Sequence, residues 1–236
     1  MHHGWMKGIP AFPVLIFLLF STPALADFAK GLDAVMRGDY ATAMKQFKPL
    51  AERGMVDAQF NMGWMHDYGK GVKQSDKTAA KWYQLAAGQG HVGSQYNLAL
   101  MYQKGKGVTR DYKVAINLYK KAVSQGHTKA HYNLAKMYVD GYGVTQDYKT
   151  ANKWFSRAAE QGDIYATSNL GYMYEQGYGV IQDYRLAHMW LSISASQGNK
   201  KALVDRNMLE FKMIPADIAK ATELARECIA KNYKGC

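Results

Sequence analysis

The chain has 236 residues, of which 48% are hydrophobic and 21% are charged, and its formal net charge is +11. This length suits one large domain or one repeat array, and the basic balance favours anionic partners. With only two cysteines, Cys228 and Cys236, the chain is not a small disulfide-framework domain.

The N-terminal segment has the features of a secretory signal peptide. Lys7 precedes an apolar run over residues 9–20, and small residues follow at Ala24 and Ala26. A membrane-spanning helix needs about 20 apolar residues, more than this run offers. We therefore predict a signal peptide over residues 1–26, cleavage after Ala26, and a periplasmic or secreted protein. Its mature form would have no transmembrane anchor and no nucleic-acid partner.

A period of 36 residues organises the rest of the chain. The pair Gln-Gly, the turn Gly-x-Gly-Val and single Asn, Met and Ala positions all recur in this register. The period predicts four repeats, a partial capping repeat before them and capping helices after them. Their ranges are 27–54 for the N-terminal cap, 55–90, 91–126, 127–162 and 163–198 for the repeats, and 199–236 for the C-terminal cap.

Each repeat shows apolar residues at i, i+3, i+4 and i+7 in two successive segments, which indicates two helices. Asp111, Asp147 and Asp183 precede the second helix, where a carboxylate can cap free backbone amides; Ser75 fills this position in the first repeat. The glycine of Gln-Gly should end that helix. One helix pair cannot bury its own apolar face, so the pairs should stack into an all-α solenoid.

The residues Asn169-Leu170-Gly171-Tyr172-Met173-Tyr174, followed by Gly177-Tyr178-Gly179-Val180, resemble a Sel-1-like repeat. The resemblance covers nearly all of the predicted mature chain. It implies a right-handed αα-solenoid, similar to tetratricopeptide repeats, that acts as an adaptor or scaffold. Exported bacterial members of this family are associated with envelope assembly, exopolysaccharide control or contact with host proteins. Some cysteine-rich members act on β-lactams, but the repeats of this chain contain no cysteine.

The sequence contains few features that are typical of an enzyme active site. The Gly-x-Gly turns lack both a preceding strand and the third glycine of a dinucleotide-binding motif. His127 and His131 have the i, i+4 spacing of two metal ligands, but the sequence places no third ligand beside them. We predict no enzyme, no catalytic residue, no metal and no cofactor. Cys228 and Cys236 could form a disulfide or remain free thiols.

The candidate binding site is a stripe on the first helices, where side chains vary from repeat to repeat instead of recurring. First helices line the concave side of solenoids of this type, so the stripes should form one groove. The alternative for its first column, positions 60, 96 and 132, is packing between repeats. The stripe comprises Phe60, Trp64 and Asp67; Tyr96, Leu100 and Gln103; Tyr132, Lys136 and Val139; and Ser168, Tyr172 and Glu175.

Three functions remain open at this stage. The favoured one is a non-catalytic scaffold that binds a protein partner through the concave face. The second is a module that binds cell wall or an anionic polysaccharide, and the third is a weak β-lactamase-type hydrolase. If the groove does not bind the partner, the remaining candidate is a basic convex face around Lys81, Lys120, Lys121 and Lys153.

Overall fold

The structure, a computed structural model, describes residues 22–236, and this part of the chain is entirely helical. The predicted all-α solenoid is confirmed. The helices are α1 (Thr22–Met36), α2 (Tyr40–Glu52), α3 (Val56–Tyr68), α4 (Asp76–Gly88), α5 (Val92–Lys104), α6 (Tyr112–Ser124), α7 (Thr128–Asp140), α8 (Tyr148–Ala159), α9 (Ile164–Gln176), α10 (Tyr184–Ser196), α11 (Lys200–Glu210) and α12 (Pro215–Ala230).

Odd-numbered and even-numbered helices alternate as the first and second members of each pair. From α1 to α10, the two helices of a pair pack on each other, and each second helix packs on the first helix that follows it. The predicted helix caps are present. Asp111, Asp147 and Asp183 each accept a backbone amide at the start of a second helix, and Ser75 accepts the amide of Thr78 at 3.2 Å.

The Gln-Gly pairs end the second helices and also join neighbouring repeats. Their glycines take left-handed φ angles, for example +94° at Gly90 and +81° at Gly162. The Gln89 amide donates to the Gly54 carbonyl oxygen at 3.2 Å and to Gln59 Oε1 at 2.8 Å. Gln125 makes the equivalent two bonds one repeat later. This second role was not predicted from the sequence.

The second glycine of the Gly-x-Gly turn allows the closest approach between repeats. A Cβ added to Gly107 would lie 2.3 Å from the Asp76 carbonyl carbon, and one added to Gly179 would lie 2.3 Å from that of Tyr148. Both glycines also have positive φ angles, which other residues adopt at a cost. The turn therefore packs closely against the second helix of the preceding repeat.

The core is a series of small clusters shared between adjacent helices. Tyr83, Tyr119 and Phe155 are among its largest fully buried side chains. Trp154 lies at the edge of this core. It is half-buried, packs on the clusters of two repeats, and leaves part of its ring accessible.

The N-terminal unit precedes the first of the four repeats. It has two helices, α1 and α2, and Ala24 is buried in its core. The predicted cleavage site after Ala26 therefore falls within α1, while residues 1–21 lie outside the described residues. Pro49 lies in the last turn of α2, which continues to Glu52. Within residues 22–236, no helix is both long and apolar enough to cross a lipid bilayer.

The C-terminal helices α11 and α12 both pack on α10. His188 is buried and contacts the Glu210 carboxylate at 3.0 Å, which links α10 to the end of α11. Cys228 and Cys236 form a disulfide with a Cα–Cα distance of 5.6 Å. Gly235, at φ +68°, lets the tail turn back towards the helix.

Candidate partner-binding surface

The twelve stripe residues lie on α3, α5, α7 and α9, and we call them the first-helix surface. Each of them is at least partly accessible. Tyr172 is the most open, with 51% of its surface exposed. The structure thus leaves this stripe available, while the recurring Ala, Leu and Met positions on the same helices are buried in the core.

The first column of this surface joins repeats. The Phe60 ring lies 4.5 Å from the ring of His91, and the Tyr96 ring stacks on His127 at 4.3 Å. Tyr132 meets Tyr165 of the next repeat at 6.1 Å. These contacts are those expected of inter-repeat packing, the alternative raised for this column. The rings still present a partly accessible edge.

The residues of the second column lie in a different environment in every repeat. Trp64 packs on the N-terminal core, 6.1 Å from Tyr40, and Leu100 packs on a core cluster shared by its own and the next repeat. Lys136 pairs loosely with Asp140 at 3.9 Å. Tyr172 meets the edge of the Tyr178 ring at 5.8 Å. No shared packing role explains these four residues.

The third column is polar in three of the four repeats. Lys106 Nζ lies 2.6 Å from an Asp67 oxygen, and this hydrogen bond raises the pKa of the lysine. Gln103 accepts a hydrogen bond of 2.6 Å from the buried Tyr119 hydroxyl. Glu175 pairs with Lys212 at 2.8 Å. Val139 is the apolar member, packed on the C-terminal core.

Three clefts open along the first-helix surface between successive first helices. One of about 530 Å³ contains Phe60 and Tyr96. Another of about 330 Å³ contains Asp67 and Leu100, and a third of about 430 Å³ contains Tyr172. Tyr165, which was not assigned to the site, lines the third cleft and is 65% exposed. Its spacing of three residues from Ser168 and seven from Tyr172 places it on the same face of α9, so the helical period could have identified it.

The histidines considered as metal ligands have structural roles. His127 caps α7, because its Nδ1 atom accepts the amide of Ala130 at 3.3 Å. His131 Nδ1 contacts the His127 carbonyl oxygen at 3.1 Å. Burial lowers the pKa of both rings and so favours their neutral form. Among residues 22–236, no group of three His, Cys, Asp or Glu side chains is placed to hold a metal ion.

Among the described residues, the recurring asparagines do not bind the backbone of neighbouring helices. Asn61 and Asn169 donate to carbonyl oxygens of their own helices at 2.7 Å. Asn133 donates at 3.3 Å to the hydroxyl of Tyr96 in the preceding repeat. The contact with neighbouring backbone is made instead by Gln89 and Gln125.

Comparison with known proteins identifies the repeat. A model of the Sel1 repeat matches residues 56–91, 92–127, 128–163 and 164–199, each beginning one residue after the predicted boundary. A comparison with curated proteins finds no significant match.

Solved structures with the same repeat show the same fold. A protective antigen of uropathogenic Escherichia coli strains, which displays an SLR fold, is 33% identical with a TM-score of 0.77 over 89% of this chain and 46% of its own. This chain therefore spans about half the length of that antigen. A Sel1 repeat protein from Oxalobacter formigenes is 32% identical with a TM-score of 0.74, over 86% of this chain and 84% of its own.

Proposed function

Because the chain belongs to the Sel1 repeat family, whose members are generally non-catalytic scaffolds for protein interactions, we propose that it is an exported scaffold that binds a protein partner on its first-helix surface. This surface would line the concave side of the solenoid. The partner would be held along several repeats at once, since no single cleft is deep.

The observation that carries this proposal is the second column of the first-helix surface. A column that serves folding keeps the same kind of residue in every repeat, as the buried Met65, Met101, Met137 and Met173 do. The second column instead holds Trp, Leu, Lys and Tyr. Such variation is expected if each repeat contacts a different part of the ligand.

The chemistry of the surface favours a peptide or loop as the bound segment. The exposed rings of Tyr165 and Tyr172 lie beside one cleft, and aromatic anchors of this kind carry much of the energy at protein interfaces. Lys201 and Asp205 line the same cleft and would supply polar contacts around them. A rim of polar groups around aromatic anchors is typical of protein–protein sites.

Export is tested by mass spectrometry of the protein purified from its native host. An N-terminus at Asp27 is expected, together with recovery from the periplasm or the medium. Cleavage there would remove Ala24 from the N-terminal core, so the trimmed protein should also be compared with the full chain in thermal melts. A cytoplasmic protein that retains residues 1–26 would refute the export proposal.

Binding is tested with a photo-crosslinking residue at position 172 and, as a control, at position 85. Leu85 is similarly exposed, at 52%, but lies on the second helix α4. A protein captured from position 172 alone would then be titrated against the variant Tyr172→Ala/Lys136→Ala. Trp64 is unsuitable for this experiment because it packs on the core.

We expect the double variant to bind at least about tenfold more weakly, equivalent to about 1.4 kcal/mol, at an unchanged melting temperature. Leu85→Ala should bind like the wild type. Wild-type affinity in the double variant, or equal capture from both positions, would exclude the first-helix surface as the site.

A further inference from the structure

The two helices of each repeat differ sharply in charge. The first helices α3, α5, α7 and α9 together carry three basic and four acidic residues, a formal charge of −1. The second helices α4, α6, α8 and α10 carry nine basic residues and one acidic residue, a formal charge of +8. The basic character of the repeats is therefore concentrated on one set of helices.

This charge is densest on α6 and α8. Their six basic side chains are all exposed, and neither helix contains an acidic residue. Within residues 22–236, only Arg157 among the six has a carboxylate within ion-pair distance, Glu160 at 3.6 Å. An uncompensated cluster of this kind creates a positive potential that attracts anions. The six residues are Lys113, Lys120, Lys121, Lys149, Lys153 and Arg157.

One column of this charge makes few contacts that would stabilise the fold, and of its members only Arg185 has a carboxylate within ion-pair distance among the described residues, Asp183 at 3.6 Å. A basic residue occupies the second position of every second helix in the four repeats, namely Lys77, Lys113, Lys149 and Arg185. Cations at a helix N-terminus are unfavourable because of the helix dipole. Helix stability therefore does not explain the column. A long anionic ligand lying across the repeats would meet one cation at each step.

A cleft of about 670 Å³ on α8 adds an aromatic surface to this charge. Lys153, Arg157 and the half-buried Trp154 line it. Asn152, also in its lining, has a side-chain nitrogen that is buried without a hydrogen-bond partner among the described residues. The cleft thus combines a partly accessible ring with two cations, one of which, Arg157, also pairs with Glu160 at 3.6 Å. The remaining lining residues are Thr150, Ser156 and Glu160.

From this combination we infer that α6, α8 and the Trp154 cleft bind an acidic polysaccharide. The indole ring would stack on the C–H face of a sugar, and Lys153 and Arg157 would bind its carboxylates or sulfates. A membrane surface fits less well, because no large apolar side chain is exposed on α6 or α8 to enter the lipid. This site is separate from the first-helix surface and adds a second ligand to the proposed scaffold.

The test uses the full chain and three polymers: polygalacturonate, heparin and neutral dextran. Binding to polygalacturonate or heparin, or to both, is expected, and it should weaken as salt rises because the contacts are electrostatic. The preferred polymer distinguishes carboxylate from sulfate recognition. Dextran should not bind. Failure to bind either acidic polymer at low salt would overturn the inference.

Two variants locate the site. Lys153→Ala/Arg157→Ala should weaken binding of the preferred acidic polymer about tenfold. Its matched control, Lys45→Ala/Lys48→Ala, removes the same charge from α2 and should change binding less than about twofold, since long-range effects are screened. Trp154→Leu introduces the residue that Leu118 supplies one repeat earlier, so packing is preserved while ring stacking is lost. This variant should also bind more weakly at a nearly unchanged melting temperature.

Equal losses in the two double variants would show attraction to net charge alone and would refute the site. Vesicles containing phosphatidylserine provide a further comparison. Tighter binding to vesicles than to the polymers, with no effect of Trp154→Leu, would assign this face to a membrane and also refute it. Tyr172→Ala/Lys136→Ala should bind the polymer normally, so failure of the protein-binding proposal would be seen separately.

Discussion

The ring of Tyr142 lies flat on the ring of Tyr112, with centroids 4.8 Å apart and 9° between the planes. Tyr142 is the middle residue of a Gly-x-Gly turn, and Tyr112 is the first residue of the preceding second helix. Every repeat makes a contact at this place, and in two of the four it is a stacked pair of tyrosines. The other pairs are Lys70 over Tyr40 at 5.3 Å, Lys106 with Asp76 at 3.2 Å, and Tyr178 on Tyr148 at 4.7 Å.

The stacked pair should show energetic coupling. In a double-mutant cycle with Tyr112→Ala and Tyr142→Ala, we expect an interaction free energy of about 0.5–1.5 kcal/mol from chemical unfolding. As a control, Tyr112→Ala combined with Tyr178→Ala should be additive, since Tyr178 stacks on Tyr148. Additivity in both cycles would mean that the contact does not stabilise the interface.

At the second turn glycine, the effect of close packing on stability can be measured separately from the effect of the backbone conformation. Gly107→Ala and Gly126→Ala both place a Cβ at a positive φ, +71° and +82°, which costs about 1–2 kcal/mol. Only Gly107 faces the backbone of Asp76, whereas Gly126 faces open space. Gly107→Ala should therefore lower the free energy of unfolding clearly more than Gly126→Ala. If both variants lost the same free energy of unfolding, the neighbouring repeat would have to shift and accommodate the added Cβ at no energetic cost.

The histidine caps should make stability depend on pH. Burial lowers the pKa of His91 and His127 below 6.5, and each neutral ring accepts a backbone amide. The unfolded state therefore binds more protons than the folded state as the pH falls below 6.5. The stability contributed by these caps is present above that pH and is lost progressively below it.

Replacing one cap should remove part of this dependence. Asp163 and Asn199 occupy the same column as His127 and also cap helices through their side chains. His127→Asp and His127→Asn lose the stack on Tyr96 and should melt below the wild type at pH 8, but this difference should shrink or reverse at pH 5.5. The relative gain at pH 5.5 would reflect retention of a cap contributing about 1 kcal/mol. Parallel pH profiles for all three proteins would contradict the cap assignment.

Reduction should loosen the C-terminal end without unfolding the solenoid. The Cys228–Cys236 disulfide closes a short loop after α12, with a sequence separation of 8. Closure of such a loop contributes roughly 2–3 kcal/mol. Dithiothreitol should speed amide exchange in the last turn of α12 and leave exchange in α7 unchanged. The variant Cys228→Ala/Cys236→Ala is the control, because reductant should have no effect on it.

Local chemistry explains why the sequence alone predicted the repeat so well. A left-handed glycine, an aspartate at a helix start and an i, i+4 apolar pattern each act within one or two turns of the chain, so Gly162, Asp147 and Ala151 show their roles directly. A strict 36-residue period then leaves stacking as the only means of burying the apolar faces. The second helix of each repeat was predicted from these local signals.

The tertiary structure decided which side chains remain available. Contacts between residues 30 to 37 positions apart depend on how one repeat is rotated relative to the next. This rotation cannot be derived from the sequence of a single repeat. It places the Phe60 ring beside His91, brings the Gln89 amide to the Gly54 carbonyl oxygen, and leaves Tyr172 exposed. The sequence determined the helices and their order, because these follow from local backbone preferences. The packing of neighbouring repeats determined the surface, because exposure is a property of the assembled stack.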